Sequence, residues 1–156
     1  AMNPFDTQPT PARRIVGISL RTDNTRGFHD IPAHWQRFMS DGVAGQVPQR
    51  SGDDVFAVYA RFENLQDLAT TGIAQLRYTL LLGVQVAADA EVPAGLDRVD
   101  VPAQHCVRFE VPTGQPQQVG ACWQQIWARS DLRPAFVADV ERYHADGRID
   151  ILVGLR

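Results

Sequence analysis

The chain has 156 residues, 44% hydrophobic and 21% charged, with a net charge of −3. That length supports one domain, or two small halves sharing one core. The mild acidity argues against a broad nucleic-acid footprint and leaves room for a cationic ligand.

No apolar run reaches the roughly 20 residues of a membrane helix, and no basic region followed by an apolar stretch opens the chain. The sequence therefore reads as cytoplasmic, with no membrane partner. Residues 1–13, containing Pro4, Pro9 and Pro11, are expected as a flexible lead-in. Arg14 to Arg21 is β-branched and apolar enough for a first strand. From Ile31 to Met39 the positions Ile31, His34, Trp35, Phe38 and Met39 recur at the spacing of one helix face. Asp30 is the expected N-cap, Pro32 sits in the first turn, and Gly42 is the expected stop. Residues 42–54 read as a long loop. Val55 to Glu63 alternates, with Phe56, Val58, Ala60 and Phe62 on its apolar face and Val55, Ala57, Tyr59, Arg61 and Glu63 on the other. Residues 64–77 read as a long connection or flap, and Tyr78 to Val86 as a buried strand.

A surface linker over 88–95 leads to a second half. Leu96 to Val101 passes through Pro102 into a strand, His105 to Val111. Val119, Cys122, Trp123, Ile126 and Trp127 then repeat the earlier helix face, with Trp123-Gln124 in register with Trp35-Gln36. Ala135 to Tyr143 is a strand, Asp146-Gly147 a hairpin turn, and Arg148 to Arg156 the closing strand. Leu81-Leu82-Gly83-Val84 is echoed by Leu152-Val153-Gly154-Leu155. The predicted fold class is α+β: two βαββ units, about 14–88 and 96–156, forming one domain with a mainly antiparallel sheet and two helices.

Catalytic signatures are sparse. His29, His34, His105 and His144 lack metal-ligand spacing, so neither a metal site nor a cofactor is expected. Cys106 and Cys122 read as buried thiols. There is no Gly-x-Ser-x-Gly, and Gly42 and Gly45 do not begin a phosphate loop. Asp139 and Glu141 share a strand face, either as solvated carboxylates or as an acid pair. Glu141 itself has two readings: a surface carboxylate paired with Arg142 or Arg148, or a buried one. Aligning the halves on Phe62 and Tyr143 sets Glu141 against Ala60 of the apolar face.

The ordered set of residues resembles the GyrI-like small-molecule-binding family, which includes effector-binding domains of AraC-type and MerR-type regulators such as Rob and BmrR. It is carried by Ile31-Pro32-x-x-Trp35-x-x-Phe38, Tyr59 with Phe62-Glu63, Tyr78 to Gly83, Pro93-x-Gly95-Leu96, Pro102-Ala103, Trp123-x-x-Ile126-Trp127, Val140-Glu141-x-Tyr143, and Ile149 with Ile151. It covers about residues 14–156. The chain lacks room for a helix-turn-helix module beside this domain, so the resemblance implies a stand-alone domain without direct nucleic-acid contact. It further implies a central pocket for a hydrophobic, cationic small molecule, with Glu141 at its base and Trp123, Trp127, Tyr59 and Tyr143 as aromatic walls. Trp35, which helical spacing alone assigns to the core, joins that ligand-binding set. Phe62 and Tyr78 are secondary candidates for the walls, read first as core, and Phe109 is read as core. A regulatory protein is a further expected partner. Two alternatives remain: a hydrolase of electrophilic small molecules, with Glu141 activating water, and a gyrase-inhibitor-like docking domain.

Overall fold

A computed structural model describes residues 7–156; the first six residues of the expected lead-in lie outside the described residues. In chain order the elements are β1 (Thr7–Thr10), β2 (Arg13–Asp23), α1 (Gly27–Ser40), β3 (Val55–Glu63), α2 (Leu68–Thr71), β4 (Arg77–Val86), β5 (Asp97–Val101), β6 (Gln104–Val111), α3 (Val119–Trp127), β7 (Ala138–Tyr143) and β8 (Ile149–Gly154). Among the described residues the strands form one antiparallel sheet in the order β1-β6-β8-β7-β3-β4-β2-β5.

That order is a palindrome. Replacing each strand by its counterpart in the other half, and reading backwards, returns the same list. A pseudo-twofold axis therefore runs through the β3–β7 seam. The opening strand of each half crosses to the far edge: β1 precedes β2 but pairs with β6, and β5 precedes β6 but pairs with β2. The expectation of a flexible lead-in is thus corrected for residues 7–10. Pro9 fits because β1 is an edge strand, where a missing N–H can face away from the ladder.

The register fixes which residues correspond. Gly83 lies opposite Gly17, and Gly154 opposite Cys106. Leu81, two before Gly83, faces Val58; Leu152, two before Gly154, faces Val140. Val58 therefore corresponds to Val140, Tyr59 to Glu141, and Ala57 to Asp139. The predicted match of Glu141 with Ala60 is one residue off. A β-bulge between Ala60 and Glu63 adds a residue to β3, with Arg61 at φ 52°, so an alignment anchored at Phe62 slips when carried back across it.

One face of the curled sheet closes on itself around Ile15, Phe56, Val58, Leu81, Val140 and Leu152, joined by Val99 and Val101 of the edge strand β5. The other face carries the helices, one on each half. Phe38 of α1 packs with Tyr78, Leu80 and Leu82, and Val119, Trp123 and Ile126 of α3 pack with Val107, Ile149 and Ile151. Burying these faces is what holds the short helices in place, since nine- and fourteen-residue helices are marginal alone.

Local differences from the sequence reading have simple causes. Helix α1 starts at Gly27, a turn earlier than predicted, because Asp23 Oδ1 accepts the N–H groups of Thr25 and Arg26 and turns the chain there. Asp30 lies in the first helical turn, where its charge suits the helix dipole. Met39, predicted on the packed face, is 70% exposed. The 64–77 connection contains α2, a third helix beyond the two expected. Cys106 is buried and Cys122 half-buried, and both are free thiols. Among the described residues no helix is long and apolar enough to cross a membrane.

Candidate ligand-binding site

The seam on the pseudo-twofold axis positions the site. Across it Val55 faces Tyr143, Ala57 faces Glu141, and Tyr59 faces Asp139. Alternation along β7 turns Asp139, Glu141 and Tyr143 toward the helices, while Ala138 and Val140 enter the closed core. Helix α3 brings Trp123 down onto the same face.

Glu141 is 2% exposed. Its Oε2 accepts the Tyr59 hydroxyl at 2.6 Å and the Trp123 Nε1–H at 2.7 Å; its Oε1 accepts the Tyr143 hydroxyl at 2.6 Å. These three donors are neutral, and no cationic side chain bonds to it among the described residues. Burial pushes the Glu141 carboxyl up from its ordinary value, and the three donors oppose that push. Burial and the Glu141 charge hold the Tyr59 and Tyr143 hydroxyls well above the usual tyrosine range, so both remain donors. The surface alternative does not describe Glu141, because Arg142 pairs with Asp54 at 2.8 Å and Arg148 with Asp146 at 2.9 Å.

Above Glu141 lies a cavity of about 810 Å³, between α1 and α3. Its walls are aromatic. Trp35 meets Tyr143 edge-on at 5.0 Å, Tyr59 meets Trp123 at 5.5 Å, and Trp127 stacks on Trp123 at 5.6 Å. The six residues singled out from sequence, Glu141, Trp123, Trp127, Tyr59, Tyr143 and Trp35, all line this one cavity. Phe28 of α1 and Trp127 of α3 stand exposed at its rim.

Sequence reasoning missed part of the lining. Phe62 and Tyr78, secondary candidates read first as core, also face the cavity. The bulge at Arg61 turns Phe62 there, against Phe136 at 5.6 Å. Phe136 arrives through a left-handed backbone, φ 53°, which alternation cannot reveal. Phe109, read as core, is half-buried and packs against the α3 cluster. From the 64–77 connection, Ile73 and Leu76 add to the wall, and the Asn24 amide donates to the Ile73 carbonyl at 2.8 Å. Asp139 is the other buried acid of the lining: it is 5% exposed, its Oδ1 accepts the Gly154 N–H at 3.0 Å, and burial pushes its carboxyl up to about 7.

The family of integron-associated effector binding proteins, Cass2, matches residues 8–155. The chain belongs to this family. No curated protein matches it. Among solved structures, the Cass2 integron cassette protein from the mobile metagenome of Vibrio cholerae is similar at 16% identity and a TM-score of 0.77, over 97% of this chain and 95% of that one. SAV2435, in a structure bound to tetraphenylphosphonium, shares 14% identity at a TM-score of 0.75, over 99% and 94%. A putative bacterial transcription regulation protein from Staphylococcus aureus MU50 shares 13% at a TM-score of 0.70, over 98% of each chain. At such identities the likeness is one of fold, and it establishes the GyrI-like α+β architecture for this Cass2 family member.

Proposed function

We propose that the cavity is an effector site for hydrophobic cations, with Glu141 as the counter-charge. The observation that carries this reading is a carboxylate removed from water, held only by neutral donors, beneath aromatic walls. A buried carboxylate without a cationic partner leaves an unbalanced field in a medium of low dielectric. A delocalised or quaternary cation entering the cavity balances that field without needing hydrogen bonds. Each aromatic face adds cation–π attraction of about 0.5–2 kcal/mol. The fold shared with SAV2435, whose structure holds tetraphenylphosphonium, supports the same reading.

The test is a tryptophan-fluorescence titration with tetraphenylphosphonium, neutral triphenylphosphine oxide and anionic tetraphenylborate. The expected result is saturable binding of the cation, at least tenfold tighter than the neutral compound, and weakened about tenfold in Glu141→Gln. Equal affinity for cation and neutral compound would remove Glu141 from the reading.

A further inference from the structure

We propose that Asp139 is a second acidic anchor in the same cavity, extending its ligands to elongated dications. One charge lies over Glu141, and an N–H-bearing charge, such as an amidinium or ammonium, sits on the free oxygen of Asp139. This rests on the cation-site reading of Glu141.

The two carboxylates differ in what they offer. Glu141 accepts three hydrogen bonds, leaving little of its roughly four-site acceptor capacity for a ligand N–H. Asp139 accepts one, from Gly154 to Oδ1. Its Oδ2 has no hydrogen-bond partner among the described residues, although the side chain is buried and lines the cavity. That oxygen keeps unused acceptor capacity on the cavity side, and a ligand N–H can fill it with a charge-assisted hydrogen bond.

Spacing and walls fit an elongated guest. Asp139 and Glu141 are two residues apart on one strand face, so their Cα atoms are separated by about 6.5–7 Å. Beyond Glu141 the Tyr143 end is closed by Trp35; the Asp139 end is flanked by Tyr59 and by the Phe62–Phe136 pair. Both phenylalanines reach the cavity through left-handed positions on non-glycine residues, Arg61 and Phe136. Such backbone is strained, and strained positions gather at ligand sites. The pseudo-symmetry adds an asymmetry: the position corresponding to Asp139 is Ala57, so the duplicated fold does not itself demand an acid there.

Asp139 also holds the Gly154 N–H, and Asp139→Asn keeps an oxygen for that bond while removing the charge. Affinities would be measured for benzene-1,4-diamidine and for benzamidine, in the native protein and in Asp139→Asn, with thermal melting to check the fold. The proposal expects the diamidine to bind the native protein about tenfold tighter than the monoamidine, and this ratio to fall to about twofold in a folded Asp139→Asn. It also expects diamidine binding to the native protein near pH 7 to release protons, read by calorimetry in buffers of different ionisation enthalpy. This second readout does not depend on the variant folding. A native ratio near one, or a ratio unchanged in Asp139→Asn, overturns the proposal. Failure of tetraphenylphosphonium to bind the native protein overturns the Glu141 reading instead, whereas its binding without a diamidine advantage overturns only the Asp139 anchor.

Discussion

Tyr59 and Glu141 occupy corresponding positions in the two halves, and they are joined across the pseudo-twofold axis by a 2.6 Å hydrogen bond. The duplication thus places two different side chains at one structural position and lets one satisfy the other. The tyrosine half supplies a donor and a wall; the glutamate half supplies the charge.

Removing a donor should therefore act on the charge. Tyr59→Phe keeps the ring but takes one of three hydrogen bonds from the carboxylate. A hydrogen bond to a charged group is worth about 1.5–3 kcal/mol and favours the ionised form, so the Glu141 carboxyl should titrate higher in the variant. The cation-competent carboxylate then disappears at a higher pH as the solution is acidified. Tetraphenylphosphonium affinity measured from pH 5 to 9 should show its midpoint moved upward. Trp123→Phe should move it the same way, because the indole N–H can only donate. A midpoint unmoved in both variants would mean that Glu141 charge does not govern binding.

The hydrogen-bonded state of Glu141 also predicts a preference among cations. Its acceptor sites face Tyr59, Trp123 and Tyr143. A primary ammonium over Glu141 would lose water from three N–H groups and regain few acceptors. Trimethylanilinium-type quaternary cations should bind about tenfold tighter than primary ammonium ions on the same aromatic skeleton. Competition against bound tetraphenylphosphonium would rank the pairs, and the reverse order would show that Glu141 opens its hydrogen bonds to ligands.

Asp139 makes stability pH-dependent. Its carboxyl is raised from 3.8 to about 7. Between those values the unfolded chain has lost the proton and the native protein retains it. The native state then binds more protons, so stability falls as pH rises from about 4 to about 7. The full loss attributable to this group is roughly 4 kcal/mol. Burial raises Glu141 too, so it slopes in the same direction. Chemical denaturation at pH 5 and pH 8 should find the native protein more stable at pH 5, with the difference clearly reduced in Asp139→Asn. Equal stability at the two pH values in the native protein would contradict the burial of an unpaired acid.

Much of this was legible in the sequence because it depends on near neighbours. The two helix faces repeat at i, i+3, i+4, and the alternation around Glu141 places it with Asp139 and Tyr143. The Gly83 and Gly154 echo marks corresponding strand positions, as the register bears out. What escaped depends on distant partners. Strand β1 exists because β6, nearly a hundred residues later, offers it an edge; its four residues carry no pattern of their own. The bulge at Arg61 depends on how β3 meets β4, and it alone moves Phe62 from the core to the cavity. Phe136 turns on a single positive φ that no periodicity encodes.

A close backbone approach between two strands gives the last prediction. Gly17 and Gly83 face each other across β2 and β4. A Cβ on Gly17 would lie 2.6 Å from the Cα of Gly83 and would overlap the Leu82 carbonyl oxygen. A Cβ on Gly83 would overlap the Val16 carbonyl oxygen in turn. Backbone cannot swing aside as a side chain can, so Gly83→Ala must push the two strands apart beneath α1. The expected cost is at least about 3 kcal/mol, the upper range for overpacking. Gly154 differs instructively. There the added Cβ meets the Gln104 side chain, whose Nε2 donates to the Ala138 carbonyl at 2.7 Å. Gly154→Ala can displace that side chain and should cost less, about the one hydrogen bond lost, near 1 kcal/mol. Urea denaturation of both variants checks the order. Gly154→Ala as damaging as Gly83→Ala would show that Gln104 is as immovable as backbone.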